Sequence, residues 1–111
     1  MINNSKKLKF VVCGTDTDIG KTLISSFLVR GLNSCYWKPI QSGMGNETDS
    51  EFVQRISEVS NEKILKEAYI FSNPVSPHWA AEIDNVEIKK SSLNLPKIDQ
   101  NLVIETAGGL M

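Results

Sequence analysis

Cysteine is scarce in this chain: Cys13 and Cys35 are the only two in 111 residues. That is too few for a disulfide scaffold and fits a reducing compartment. Long apolar runs are missing too, since none approaches the roughly 18 residues that a membrane helix needs. The charged start, Met1 to Lys9, is not followed by a long apolar segment, so it does not read as a secretory signal. Nor is there an excess of one charge: 12 Lys+Arg stand against 13 Asp+Glu, a net charge of −1. Nucleic-acid binders usually carry a basic surplus, and this composition argues against that class. With 41% hydrophobic residues the chain is not poor enough in apolar groups to stay disordered. A chain this short holds one small domain at most. The expectation is a cytoplasmic domain without membrane contact, or a part of one.

What is present begins with Leu8 to Cys13, apolar at nearly every position, as expected of a strand buried on both faces of a parallel sheet. A polar loop follows Gly14. Leu23, Ile24, Phe27, Leu28 and Leu32 then recur with the helical period and predict one buried face, with Gly31 as terminator. Ser34 to Ile40 reads as a short strand halted at Pro39. Thr48-Asp49-Ser50-Glu51 has the form of a capping box, with Phe52, Val53, Ile56 and Val59 continuing a helix and Glu51 spaced to pair with Arg55. Ala68 to Phe71 reads as a strand, and Ser76-Pro77 as a helix start. Glu87 to Pro96 suggests a weak helix, and Leu102 to Ile104 a further strand. Strands alternating with helices predict an α/β fold with a parallel sheet. Ending as it does at a strand and glycine turn, the chain reads as the front portion of a longer domain.

Strand, then Gly14 to Thr22, then helix is the setting of a phosphate-binding loop. Glycine lets the backbone wrap around phosphate, and the helix start adds the positive end of its dipole. Lys21 would reach the β- and γ-phosphates, and the Thr22 hydroxyl would ligate Mg²⁺. The usual pattern has glycine where this chain has Thr15, and Asp16 and Asp18 are unusual beside a polyanion. Glu105, at the C-terminal end of an apolar strand, lies where open α/β sheets place their ligands and is the candidate second metal ligand. The lesser alternative is an edge carboxylate facing solvent. By itself, Lys38 reads as a strand-end surface lysine.

Five segments, taken together, resemble dethiobiotin synthetases: Gly-Thr-Asp-Thr-Asp-Ile-Gly-Lys-Thr (14–22), Trp-Lys-Pro-Ile-Gln-Ser-Gly (37–43), Thr-Asp-Ser (48–50), Ser-Pro-His (76–78) and Glu-Thr-Ala-Gly-Gly (105–109). That family carries threonine where other phosphate loops carry glycine. Thr106 departs from its commoner Glu-Gly-Ala-Gly-Gly form. The resemblance implies a P-loop NTPase-like α/β fold, with a mostly parallel sheet flanked by helices, of which residues 1–111 would be the N-terminal part of one domain. It implies ATP-dependent closure of a cyclic urea from 7,8-diaminononanoate (diaminopelargonate) and CO₂, with Mg²⁺, in a homodimer.

Carried over residue by residue, the resemblance makes Lys38 catalytic. It assigns Asp18, Ile19, Gly20, Lys21, Thr22, Leu23, Asp49, Glu105, Thr106, Ala107 and Gly108 to ATP. Thr17 and Ser42 fall to the diamine substrate, and Thr22, Asp49 and Glu105 to the metal. Ser42-Gly43 serves turn chemistry equally well, and Asp49 would suit the first turn of a helix in any case. His78 reads as a capping or packing histidine rather than a base. Both cysteines read as buried small residues, and Trp37 and Trp79 as core or pocket wall. Three rival readings stand beside this one. The first is another ATP-dependent ligase resembling cobyrinate diamide synthase. The second is a chromosome-partitioning switch ATPase, disfavoured because Thr15-Asp16-Thr17 lacks an early lysine. The third is a non-catalytic remnant.

Overall fold

The computed structural model describes residues 7–14 and 18–107, with backbone alone at positions 18 and 19. In chain order its main elements are β1 (Lys9–Val12), α1 (Asp18–Leu32), β2 (Cys35–Trp37), β3 (Ile40–Ser42), α2 (Asp49–Ser57), β4 (Tyr69–Phe71), α3 (Pro77–Asp84) and β5 (Leu102–Glu105). Among the described residues, the strand that comes last in sequence is the centre of the three-stranded sheet. β5 pairs in parallel with β1 on one side and β2 on the other, and all four of its residues are buried. A second parallel pair, β3 with β4, forms its own two-stranded sheet. The α/β class with parallel strands is as the alternation predicts, but the sequence reading missed β3 and the division into two sheets.

Alternation along β5 and β2 makes two cores. Val103 and Tyr36 join Val12, Val29, Val53 and Val59 on the face covered by α1 and α2. Leu102, Ile104, Cys35 and Trp37 pack on the opposite face. A third cluster, Phe71, Ala80 and Ala81, lies between β4 and α3.

Several local expectations are corrected. β1 is not buried on both faces: Phe10 and Val12 face the first core, while Val11, which alternates to the opposite face, is 61% exposed, and the core on that face includes no β1 residue. α1 buries only part of the face its periodicity indicates: Leu28 packs against the core and Leu32 is half-buried. Leu23, Ile24 and Phe27 are exposed, while Lys21, Thr22, Ser25, Ser26 and Val29 are buried. Small side chains on this face let the helix approach β5 and α2 closely. Ser26 Oγ satisfies itself by donating to the Thr22 carbonyl at 2.8 Å, so its burial strands no hydroxyl. α1 runs through Gly31 and stops at Asn33, whose φ of 48° is left-handed. The Ser34 N–H then donates to the Val29 carbonyl and the Asn33 N–H to that of Arg30, which closes the helix as a Schellman motif.

α2 starts as expected. Glu51 N–H donates to Thr48 Oγ1 at 3.2 Å, and Thr48 N–H to Glu51 Oε1 at 2.8 Å. That cap occupies Glu51, so Arg55 pairs with Glu47 instead, through two contacts of 3.0 Å. Ser76 caps α3 ahead of Pro77. The weak helix expected between Glu87 and Pro96 reduces to a 3-10 turn at Lys90–Leu93. Cys35 is buried but Cys13 is exposed, and Trp79 is exposed whereas Trp37 is buried. None of the helices is long and apolar enough to cross a membrane, among the described residues.

Candidate functional site

Tyr36 lies on the α1-facing side of β2, and the two-residue period of a strand carries Lys38, just past the strand end, toward that side. On β5 the same period places Glu105 with Val103. The register, Trp37 beside Ile104, brings the next pair, Lys38 and Glu105, side by side. The first turn of α1 lies over this corner and contributes Lys21 and Thr22. The first turn of α2 contributes Asp49.

The result is a buried polar cluster. Glu105 is 0% exposed and Lys38 only 2%. Thr22 Oγ1 donates to Glu105 Oε2 at 2.9 Å, and Lys38 Nζ lies 3.4 Å from the same oxygen. Lys38 Nζ also forms an ion pair with Asp49. Tyr36 OH donates to Glu105 Oε1 at 2.9 Å. Burial and the neighbouring Glu105 charge push the Tyr36 phenol far above its ordinary range, so it stays a donor. Lys21 Nζ donates to the Thr106 carbonyl at 3.2 Å, and Thr106 N–H donates to the Val12 carbonyl at 3.0 Å. These contacts tie the ends of β1 and β5 to the start of α1.

Beside the cluster, Gln41 links two candidate segments. Its Oε1 accepts from the Asp49 N–H at 3.2 Å, and its Nε2 donates to the Gly43 carbonyl at 2.6 Å. Gly43 has φ 79°, and a Cβ there would sit 2.7 Å from Pro74 Cβ, so only glycine fits. Ser42 Oγ, at the end of β3, is buried without a hydrogen-bond partner among the described residues. A recess of about 230 Å³ lies alongside, lined by Pro39, Ile40, Pro77, Leu93, Thr106 and Ala107. Another recess, about 580 Å³, lies by Met44, Gln54 and Ile70 and touches neither Lys38 nor Glu105.

The structure therefore gathers Lys21, Thr22, Lys38, Asp49, Glu105 and Thr106 in one corner. Gly20 is exposed at the start of α1, and Leu23 points its side chain outward, away from the cluster. For Asp18 and Ile19 only the helical backbone is described, and Thr17 and Gly108 lie outside the described residues, as do Thr15, Asp16 and Gly109. Lys38 is not the surface lysine it resembles in isolation, and Glu105 does not face solvent. His78 neither caps nor packs: its side chain is 89% exposed and its Nε2 lies 3.1 Å from Glu82 Oε1. Tyr36 and Gln41 went unnoticed in the sequence. Tyr36 was detectable as the residue two before Lys38, on the same strand face.

A family described as an AAA domain matches residues 9–111. The chain belongs to this family. Similar proteins include an ATP-dependent dethiobiotin synthetase of Rhodopseudomonas palustris, 52% identical over 103 residues, and one of Brucella ovis, 48% identical over the same length. Each alignment covers 93% of this chain and 49% of the relative, so the chain spans about half the length of the curated relatives it matches. Within the AAA domain matched here, Thr22 thus meets a buried carboxylate from the central strand, and Lys21 meets the backbone carbonyl of Thr106 just after it. Among the described residues no group of three or more His, Cys, Asp or Glu could cage a metal ion. That does not count against Mg²⁺, which commonly takes one or two carboxylates plus phosphate oxygens and water. One hydroxyl and two carboxylates, all hard oxygen donors, fit it.

Proposed function

We propose that this AAA domain carries the triphosphate, metal and carbamate-facing part of an ATP-dependent ligase that closes the cyclic urea of dethiobiotin. The observation that carries the reading is Lys38, an ammonium 2% exposed, between the Asp49 carboxylate and the Thr22–Glu105 pair at the mouth of the phosphate loop. The names of the relatives and the five matching segments support the same reading. In it, one amine of diaminopelargonate adds to CO₂ and loses a proton to give a carbamate. A carbamate oxygen attacks the γ-phosphorus of ATP, and ADP leaves. The second amine attacks the carbonyl of the resulting anhydride, phosphate leaves, and the ring closes.

The chain's own groups have definite tasks here. Two anions must approach each other, and Lys21 and Lys38 supply the positive charge that makes this tolerable in a low-dielectric corner. Amide groups at positions 18 to 23 would hold the phosphates, with Thr106 and Ala107 bordering them from the β5 side. Ser42 Oγ and Thr17 would meet the amine or carbamate, since a hydroxyl can donate to one and accept from the other. Thr22, Asp49 and Glu105 would hold Mg²⁺, which when bound neutralises charge on the transferring phosphate. A cytoplasmic homodimer, with residues 1–111 forming the N-terminal part of its P-loop domain, belongs to the same proposal.

The test is incubation of the chain with ATP, Mg²⁺, bicarbonate and diaminopelargonate. The proposal expects Mg²⁺-dependent ATP binding, and dethiobiotin and phosphate in equal amounts. ATP binding without dethiobiotin would refute the assigned reaction, and absence of ATP binding would refute the site itself.

A further inference from the structure

The Glu105 carboxylate has two oxygens with different neighbours. Oε2 faces Thr22 Oγ1 at 2.9 Å and Lys38 Nζ at 3.4 Å, on the side of the phosphate loop. Oε1 faces the other way and accepts from Tyr36 OH at 2.9 Å. Tyr36 is 0% exposed and is wedged among Val12, Val29, Val53, Val59 and Val103, so its ring cannot swing aside. Its strand is fixed as well: it pairs with β5, and the Tyr36 carbonyl accepts from the Leu65 N–H at 2.8 Å. A glutamate head turns easily about its last torsion, which is broad and roughly two-fold. A phenol held on one oxygen removes that freedom.

We infer that Tyr36 is a positioning residue for the metal: it clamps Glu105 Oε1 so that Oε2 alone is presented to Thr22 and the divalent cation. The inference rests on the proposed P-loop reading and adds to it a residue that never touches nucleotide or metal. Partners in this outer position typically govern metal affinity by 10- to 100-fold. A merely structural tyrosine would instead lower stability and weaken nucleotide binding with and without metal alike.

Binding of ATP and Mn²⁺ to the whole chain separates the two roles. Tyr36→Phe removes one oxygen and keeps the ring. It should raise the Mn²⁺ dissociation constant in the ATP complex by about 10-fold or more and broaden the electron paramagnetic resonance spectrum of bound Mn²⁺. ATP affinity in the presence of a chelator should stay unchanged. In a Glu105→Gln background the Tyr36→Phe change should have no further effect on Mn²⁺. Unchanged Mn²⁺ affinity in Tyr36→Phe, or equal loss of ATP binding with and without metal, would overturn the inference. If Tyr36→Phe does not fold, 4-aminophenylalanine at position 36 retains a donor and must hold Mn²⁺ as the native chain does; clear weakening there also overturns it. Failure of the native chain to bind ATP at all would take down the P-loop reading and this inference together. Native ATP binding with an unaltered Tyr36→Phe response would remove this inference only.

Discussion

Replacing Lys38 by Met keeps a long apolar stem and removes the ammonium. In the native chain that ammonium is 2% exposed and contacts both Asp49 and Glu105. Deleting one partner of a buried ion pair costs about 3–5 kcal/mol, because the remaining charge has neither water nor counter-ion. Here the lower end applies. Glu105 keeps the Thr22 and Tyr36 hydroxyls, and the Asp49 side chain is 19% exposed and regains some water. A loss of about 3 kcal/mol is therefore expected, a large part of the 5–15 kcal/mol typical of whole domains. Equilibrium unfolding in urea measures it. The double variant Lys38→Met with Glu105→Gln should be less destabilised than the two single effects summed, by about 1–3 kcal/mol, since each removes the other's unpaired charge. In the proposed reaction Lys38→Met also abolishes dethiobiotin formation while Mg²⁺·ATP still binds. A single-variant loss under about 1 kcal/mol, or strict additivity in the double variant, would refute the reasoning.

Three further outcomes are expected. An added methyl in Gly43→Ala meets Pro74 Cβ at 2.7 Å on a backbone with φ 79°, so about 1–3 kcal/mol of stability should be lost; thermal unfolding checks it, and a neutral effect would contradict the tight turn. Cys13 is exposed while burial raises the Cys35 thiol's pKa, so iodoacetamide at neutral pH should label Cys13 first and Cys35 only after denaturation, as read by mass spectrometry of peptides. The hydrogen bonds from Arg55 hold Glu47 below the usual carboxylate range; a folded value below the unfolded one means that the pair's stabilisation is complete above the unfolded value and fades as pH falls through the folded one. Urea midpoints of the native chain and Glu47→Gln should therefore converge in acid and separate toward neutrality, and parallel curves would count against the pair.

Much of the site was legible because its chemistry is local in sequence. The strand, the glycine loop and Lys21-Thr22 are contiguous, and the capping box that starts α2 fixes Asp49 in its first turn. Caps and turns announce themselves because the groups they satisfy are close neighbours. Burial was harder to read. The period of Leu23, Ile24, Phe27, Leu28 and Leu32 gave the helix correctly but its inner face only in part: Leu28 packs inward, while Ser25 and Ser26 rather than Leu23, Ile24 and Phe27 face β5 and α2. Lys38 looked like a surface lysine because the two carboxylates that hold it come from residues 11 and 67 positions away. Arg55 looked like Glu51's partner until the cap claimed Glu51. β3 was missed because its three residues pair only with β4, some distance along the chain.

The position of β5 has a consequence for how the chain acquires its shape. The first and second strands have no direct hydrogen bonds to one another; each waits for β5, which is made well after both. Leu8 and Asn101, at one end of the joined strands, lie 93 positions apart. The entropy of that closure must be met before the sheet returns any pairing energy, which places assembly among slow, topology-limited processes. A nascent chain that has not yet reached Leu102 can wind its helices, but it has no keystone around which to set the cluster of lysines and carboxylates.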